Sequence, residues 1–201
     1  MRIFKNPLLV ANVLFFILFF VHIFIIRANT FWFLPWNILL ALLPNLFSFL
    51  SRQNAKFKWL NIGLWLLFFP NSIYLLTDII HLKASNIRFS YWYDVSLFAV
   101  LFAIGIISSF TSLKAILKDH FPRIIGAKYF WFSTLIWFLT FVGVYIGRDI
   151  RVNSWDILNP PKLILTIIYF NHQFKNVVPF LFICPTITTL FYNIWIANSQ
   201  K

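Results

Sequence analysis

The chain has 201 residues, 61% of them apolar, with 27 Phe and 9 Trp and a mean hydropathy of +0.81. Soluble globular chains are about 45 to 50% apolar and about 25% charged, so a chain only 11% charged is built for lipid, and at ~20 residues per crossing its length is taken up by helices and loops. The formal charge of +12, from 17 Lys and Arg against 5 acids, reads as membrane-surface charge and not as a nucleic-acid surface, because little water-exposed area could carry one.

Six apolar runs approach the crossing length: Leu8 to Ile26, Phe31 to Leu50, Phe57 to Leu76, Tyr93 to Leu113, Tyr129 to Gly147 and Val177 to Ile196. The first follows Arg2 and Lys5 as a signal peptide would, but Ile26-Arg27-Ala28 lacks the small residues of a cleavage site, so it is read as a retained helix. The run Leu163 to Phe170 is too short to span a core of ~30 Å at ~1.5 Å per residue. Between Pro160-Pro161 and Asn171-His172-Gln173 it reads as an interfacial or re-entrant helix. The expected fold is all-α: a polytopic transmembrane helical bundle of about six spanning helices plus that short helix, forming one integral-membrane domain over residues 1–201.

Six crossings put both termini on one side. That side gathers ten basic residues against Asp119, a balance of +9, while the other carries seven against Asp78, Asp94, Asp149 and Asp156, a balance of +3. The positive-inside rule makes the first side cytoplasmic.

Four of the five carboxylates therefore fall at outer helix ends, in three polar clusters. The segment from Pro70 to Leu82 holds Asn71, Tyr74, Asp78 and His81, the last two at i, i+3 and able to share a face if the helix continues. Tyr91-Trp92-Tyr93-Asp94 opens the fourth run, and Gly147-Arg148-Asp149-Ile150-Arg151-Val152-Asn153-Ser154-Trp155-Asp156 follows the fifth. A charge at membrane depth costs about 2.5 to 3.5 kcal/mol on insertion scales, so carboxylates gathered there imply water or a partner. Asp and His serve proton transfer or hard cations, and the forked guanidinium of Arg clamps phosphate or carboxylate. Bland readings stand beside these: Asp94 as a helix N-cap, His81 as an interfacial residue, Arg148 and Arg151 as anchors paired with Asp149 and Asp156.

Other features read as structural. Gly143 with Gly147, and Gly105 with Ser109, have the small-x-x-x-small spacing that lets helix backbones approach, so the fourth and fifth helices are expected to pack and bring Asp94 near Arg148. His22 reads as a packed residue and His120 as a solvated one. In Pro44-Asn45 and Pro70-Asn71 a proline frees a carbonyl about one turn back, and the Asn can bond across to it. Cys184 alone supports neither a disulfide nor a multi-cysteine metal site, and no motif here names a metal or a cofactor.

At these clusters the sequence resembles a small bacterial integral-membrane family, domain of unknown function 1361. The matching elements are Pro35-Trp36-Asn37 with Leu40-Ala41 and Pro44, then Phe69-Pro70-Asn71 through Tyr74, Thr77-Asp78 and His81-Leu82. They continue with Tyr93-Asp94, Gly147-Arg148, Arg151 and Asn153-Ser154-Trp155-Asp156. The resemblance implies a multi-pass bacterial membrane protein and brings no activity, substrate or cofactor. Asp149 and Lys162 fall outside the pattern.

The leading expectation is an enzyme of the bacterial plasma membrane acting at its extracytoplasmic face on a lipid-linked or anionic envelope substrate. Asp78, His81, Asp94 and Asp156 would be its catalytic groups, and Asn71, Tyr74, Arg148, Arg151, Asn153 and Trp155 would bind substrate. A small-solute transporter using the Pro-Asn breaks, or a scaffold without chemistry, is the alternative.

Overall fold

The computed structural model describes residues 6–24, 31–53, 55–81, 88–149 and 159–198. These form α1 (Pro7–Phe24), α2 (Leu34–Gln53), a 3-10 turn (Ala55–Phe57), α3 (Lys58–Thr77), a second 3-10 turn (Asp78–His81), α4 (Arg88–His120), α5 (Ala127–Asp149) and α6 (Pro160–Asn198). No strand occurs among the described residues, and six helices are long and apolar enough to cross a membrane. The all-α, multi-pass architecture follows from this.

Local chemistry accounts for the helix starts. The Asn6 side chain accepts from the backbone N–H groups of Leu8 and Leu9 at 3.2 and 3.3 Å, an N-cap followed by Pro7 at the first helical position. Pro160 and Pro161 open α6 in the same way, where their missing N–H groups cost nothing. Pro44, Pro70, Pro179 and Pro185 lie inside helices, as membrane helices tolerate when neighbours satisfy the freed carbonyls.

Two of the sequence expectations need correction. The run 163–170 is no separate element. It leads a 39-residue helix that continues through Asn171-His172-Gln173 into the last crossing, because polar side chains do not stop a helix and no Gly or Pro lies between Pro161 and Pro179. At 1.5 Å per residue α6 is about 58 Å long, roughly twice a hydrocarbon core, so its first part extends beyond the crossing at Val177–Asn198. Asp94 is likewise no N-cap: α4 begins at Arg88, six residues earlier, and Asp94 lies inside the helix.

The chain divides into two compact units, Met1–Ser112 and Leu113–Lys201. In the first, α2 packs along α3, and Phe15, Phe19, Phe31, Leu34, Ile38, Ala41, Leu75, Leu97, Phe98, Leu101 and Ile104 form one buried core. Gly105 of α4 admits α3 to close range: a Cβ at that position would lie 2.5 Å from the Ser72 carbonyl oxygen and 2.7 Å from Leu76 Cδ1. The small residue expected to serve α5 thus serves α3.

Beside it, the break at Pro44 becomes a junction of three helices. Ser72 and Ser108 both donate to the Ala41 carbonyl, at 2.8 and 2.7 Å. Asn45 donates to the Ser108 carbonyl at 3.2 Å and accepts from Thr111 at 3.0 Å. Hydroxyls from α3 and α4 thus bond to the α2 carbonyl three residues before Pro44, and Asn45 bonds to α4. Asn71 donates to the Phe68 carbonyl of its own helix at 3.0 Å.

In the second unit α5 packs on α6. Phe141 meets Phe180 edge-on at 5.4 Å, Trp137 meets Tyr192 at 5.9 Å, and the Tyr129 and Tyr192 hydroxyls are 2.9 Å apart.

Candidate functional site

Within the first unit α1 and α3 end, and α2 and α4 begin, at one end of the helices. Six side chains of these helix ends and of the segment leading into α2 form a chain of contacts there: His22, Phe31, Phe33, His81, Tyr93 and Asp94. Asn37 and Asp78 join them at the same level.

Asp78 is fully buried, and Asn37 on the first turn of α2 donates to its Oδ2 at 2.9 Å. The 3-10 turn beginning at Asp78 puts i and i+3 along one edge, so His81 follows it along that edge. His81 is exposed and meets Phe33 edge-on at 4.9 Å. Phe33 and Asn37 are i, i+4 at the entry to α2, so that one strip receives both residues of the α3 end.

The second pair forms between α1 and α4. His22 Nδ1 lies 3.3 Å from Asp94 Oδ1, with His22 1% and Asp94 8% exposed. His22 stacks on Phe31 at 5.1 Å and on Tyr93 at 6.1 Å, and the Tyr93 hydroxyl donates to the Leu18 carbonyl. The two stacked rings hold the imidazole plane with Nδ1 toward the carboxylate. A carboxylate this buried needs such a partner, because in an apolar surround an unpaired charge is strongly disfavoured.

Two aromatic rings connect the pairs. Phe31 contacts His22 at 5.1 Å and Phe33 at 6.3 Å, and Phe33 contacts His81 at 4.9 Å. The unit thus holds two imidazoles and two carboxylates at one end, one imidazole open and the other three groups buried. Chemically this suits proton exchange at His81 with buried carboxyl groups behind it. Among the described residues no group of three or more His, Cys, Asp or Glu side chains is placed to hold a metal ion.

Of the other expected site residues, Asn71 and Tyr74 lie half-buried on α3 within one to two turns of Asp78. Arg148 is half-buried in the last turn of α5, in the second unit, with Asp149 exposed after it. Arg151, Asn153, Trp155 and Asp156 lie outside the described residues.

Sequence reasoning gave no functional place to His22 or Asn37. A signal for His22 existed: Phe15, Phe19 and His22 recur at helical spacing and are the buried face of α1, so the imidazole had to point inward. Asn37 carried a weaker one, as a polar residue beside the buried Leu34, Ile38 and Ala41 stripe.

No curated protein and no solved structure matches the chain. A family model, protein of unknown function (DUF1361), matches residues 36–191, a stretch that includes Asn37, Asp78, His81, Asp94 and Arg148 and leaves out His22. With most of its length so matched, and with the Asn37 and Asp78 elements meeting in space, the chain belongs to the DUF1361 family.

Proposed function

We propose that the chain is a bacterial plasma-membrane enzyme with both termini in the cytoplasm, and that the polar end of its first unit is an extracytoplasmic site for a lipid-linked or anionic envelope substrate. The charge balance of +9 on the opposite side against +3 on this one supports the orientation. The observation that carries the proposal is that two buried carboxylates lie at the same end of the first unit's helices, each beside its own polar partner, Asp78 at Asn37 and Asp94 at His22. Intramembrane ionisable groups are expensive, and a chain keeps them where they work.

In this reading His81, the exposed imidazole, is the acid/base group that meets substrate. Asp78 and Asp94 are the buried carboxyl groups behind it. Tyr74, one turn below Asp78 on α3, is kept as a substrate-binding group, as is Asn71, a further turn below beside Ser72. From the sequence alone, Arg148 and Arg151, with Asn153 and Trp155, are read as groups that clamp a phosphate or carboxylate, and Asp156 as a further catalytic carboxylate.

The transporter reading draws on the polar junction around Asn45. Two features weigh against it. The junction's polar groups are turned on one another, and by helix register the buried Ile38, Leu75, Leu101 and Ile104 lie between it and the Asp78 and Asp94 level. A dry layer of this kind supports a site closed from below. A scaffold without chemistry would instead be supported by a stoichiometric partner held through residues 148–156.

The test is complementation of a deletion phenotype by Asp78→Asn and His81→Ala variants whose membrane levels equal wild type. Loss of complementation by both is expected, and full complementation by both rejects the catalytic assignment.

A further inference from the structure

The last turns of α4, the turn 121–126, the start of α5 and the end of α6 line an open cavity of about 400 Å³. It lies wholly within the second unit. Lys114 and Lys118 supply its basic groups, Phe121, Ile124 and Ile125 its apolar wall, and Tyr129 a hydroxyl. Its volume falls in the range of about 300 to 1,000 Å³ found for small-molecule pockets. We infer that this cavity holds the phosphate of an anionic glycerophospholipid, with the lipid's first acyl carbons against Ile124 and Ile125.

Three observations carry the inference. Lys114 and Lys118 are i, i+4 on α4, so both ammonium groups serve one side of the helix and can converge on one phosphate. The Lys114 ammonium rides over the Trp195 ring at 5.0 Å, which places the charge at the aromatic level where head groups sit. Ile125 is 73% exposed beside these lysines, and a bare apolar side chain next to paired cations matches a molecule that is anionic at one end and hydrocarbon at the other. The acid of this segment, Asp119, follows Lys118 and is not among the lining residues. Lys118 is exposed and reaches bulk lipid, while half-buried Lys114 fixes depth.

Native mass spectrometry of the full chain in detergent, titrated with phosphatidylglycerol, with phosphatidylcholine of the same acyl chains, or with inorganic phosphate, tests this. The wild type is expected to retain phosphatidylglycerol about tenfold or more over phosphatidylcholine, with inorganic phosphate a poor competitor. Each of Lys114→Gln and Lys118→Gln is expected to lower that preference about fivefold. Ile125→Ser, at a site too exposed to disturb folding, should weaken retention of both lipids, and Lys58→Gln should change nothing. Equal retention of the two lipids by the wild type, an unchanged preference in the double lysine variant, or efficient displacement by inorganic phosphate overturns the assignment in favour of a free anion or an acidic protein segment.

Discussion

His22 Nδ1 stands 3.3 Å from Asp94 Oδ1, joining the last turn of α1 to the second turn of α4 across 72 positions of sequence. Both side chains are buried, so removing either leaves the other without its partner in an apolar surround. His22→Ala is expected to destabilise the protein by roughly 1 to 3 kcal/mol, as for a buried polar group deprived of its neighbour. The double variant His22→Leu with Asp94→Leu should recover part of that loss. Thermal unfolding of the purified protein in detergent reads both, and a His22→Ala cost below ~1 kcal/mol would contradict the pairing.

Asn37 and Asp78 make a second buried contact, at 2.9 Å. Asn37→Ala leaves a fully buried carboxylate short of a donor and should cost roughly 1 to 3 kcal/mol. In a double-mutant cycle the coupling with Asp78→Ala is expected near 1 to 2 kcal/mol, and additive single costs would show that the bond contributes nothing.

The fold was legible because its signal is length. Each apolar run near ~20 residues became a helix, since lipid leaves the backbone no partner but itself. What escaped was the position of helix starts. Polar or charged residues before a run, such as those from Arg88 to Tyr91, extend a helix as readily as apolar ones, so Asp94 looked like a cap when it lies inside α4. Half of the candidate site's residues stood out in the sequence for a related reason: Asp78, His81 and Asp94 are titratable residues near the ends of apolar runs. His22 and Asn37 did not, because their meaning depends on which helices are neighbours, and a single sequence does not state that.

Gly105 and Gly63 offer an internal contrast. Gly105→Ala would press a Cβ to 2.5 Å from the Ser72 carbonyl oxygen, which belongs to backbone and cannot give way cheaply, so a loss of about 1 to 3 kcal/mol is expected. At Gly63, also within a helix, nothing lies within 4 Å of the same atom, and Gly63→Ala should be neutral or stabilising by up to about 1 kcal/mol. Parallel melting curves of the two variants check the pair, and equal shifts would mean that α3 does not approach α4 there.

Around Pro44 the hydroxyls of Ser72 and Ser108 share one acceptor, the Ala41 carbonyl. Either alanine variant leaves the other donor in place, so each single cost should be small, about 0.6 kcal/mol as is usual for hydrogen bonds between membrane helices. The double variant should cost more than the two singles together. Strict additivity in unfolding experiments would argue against a shared acceptor.

Whether the polar end of the first unit opens outward above a closed core is tested most directly by labelling intact cells with a membrane-impermeant maleimide, using single-cysteine variants in a Cys184→Ser background. His81→Cys, at the exposed mouth, is expected to label rapidly from outside, and Ile104→Cys, in the buried layer below, to stay unlabelled until the membrane is dissolved. Labelling of Ile104→Cys from outside, or protection of His81→Cys with labelling only from the cytoplasmic side, would contradict the account.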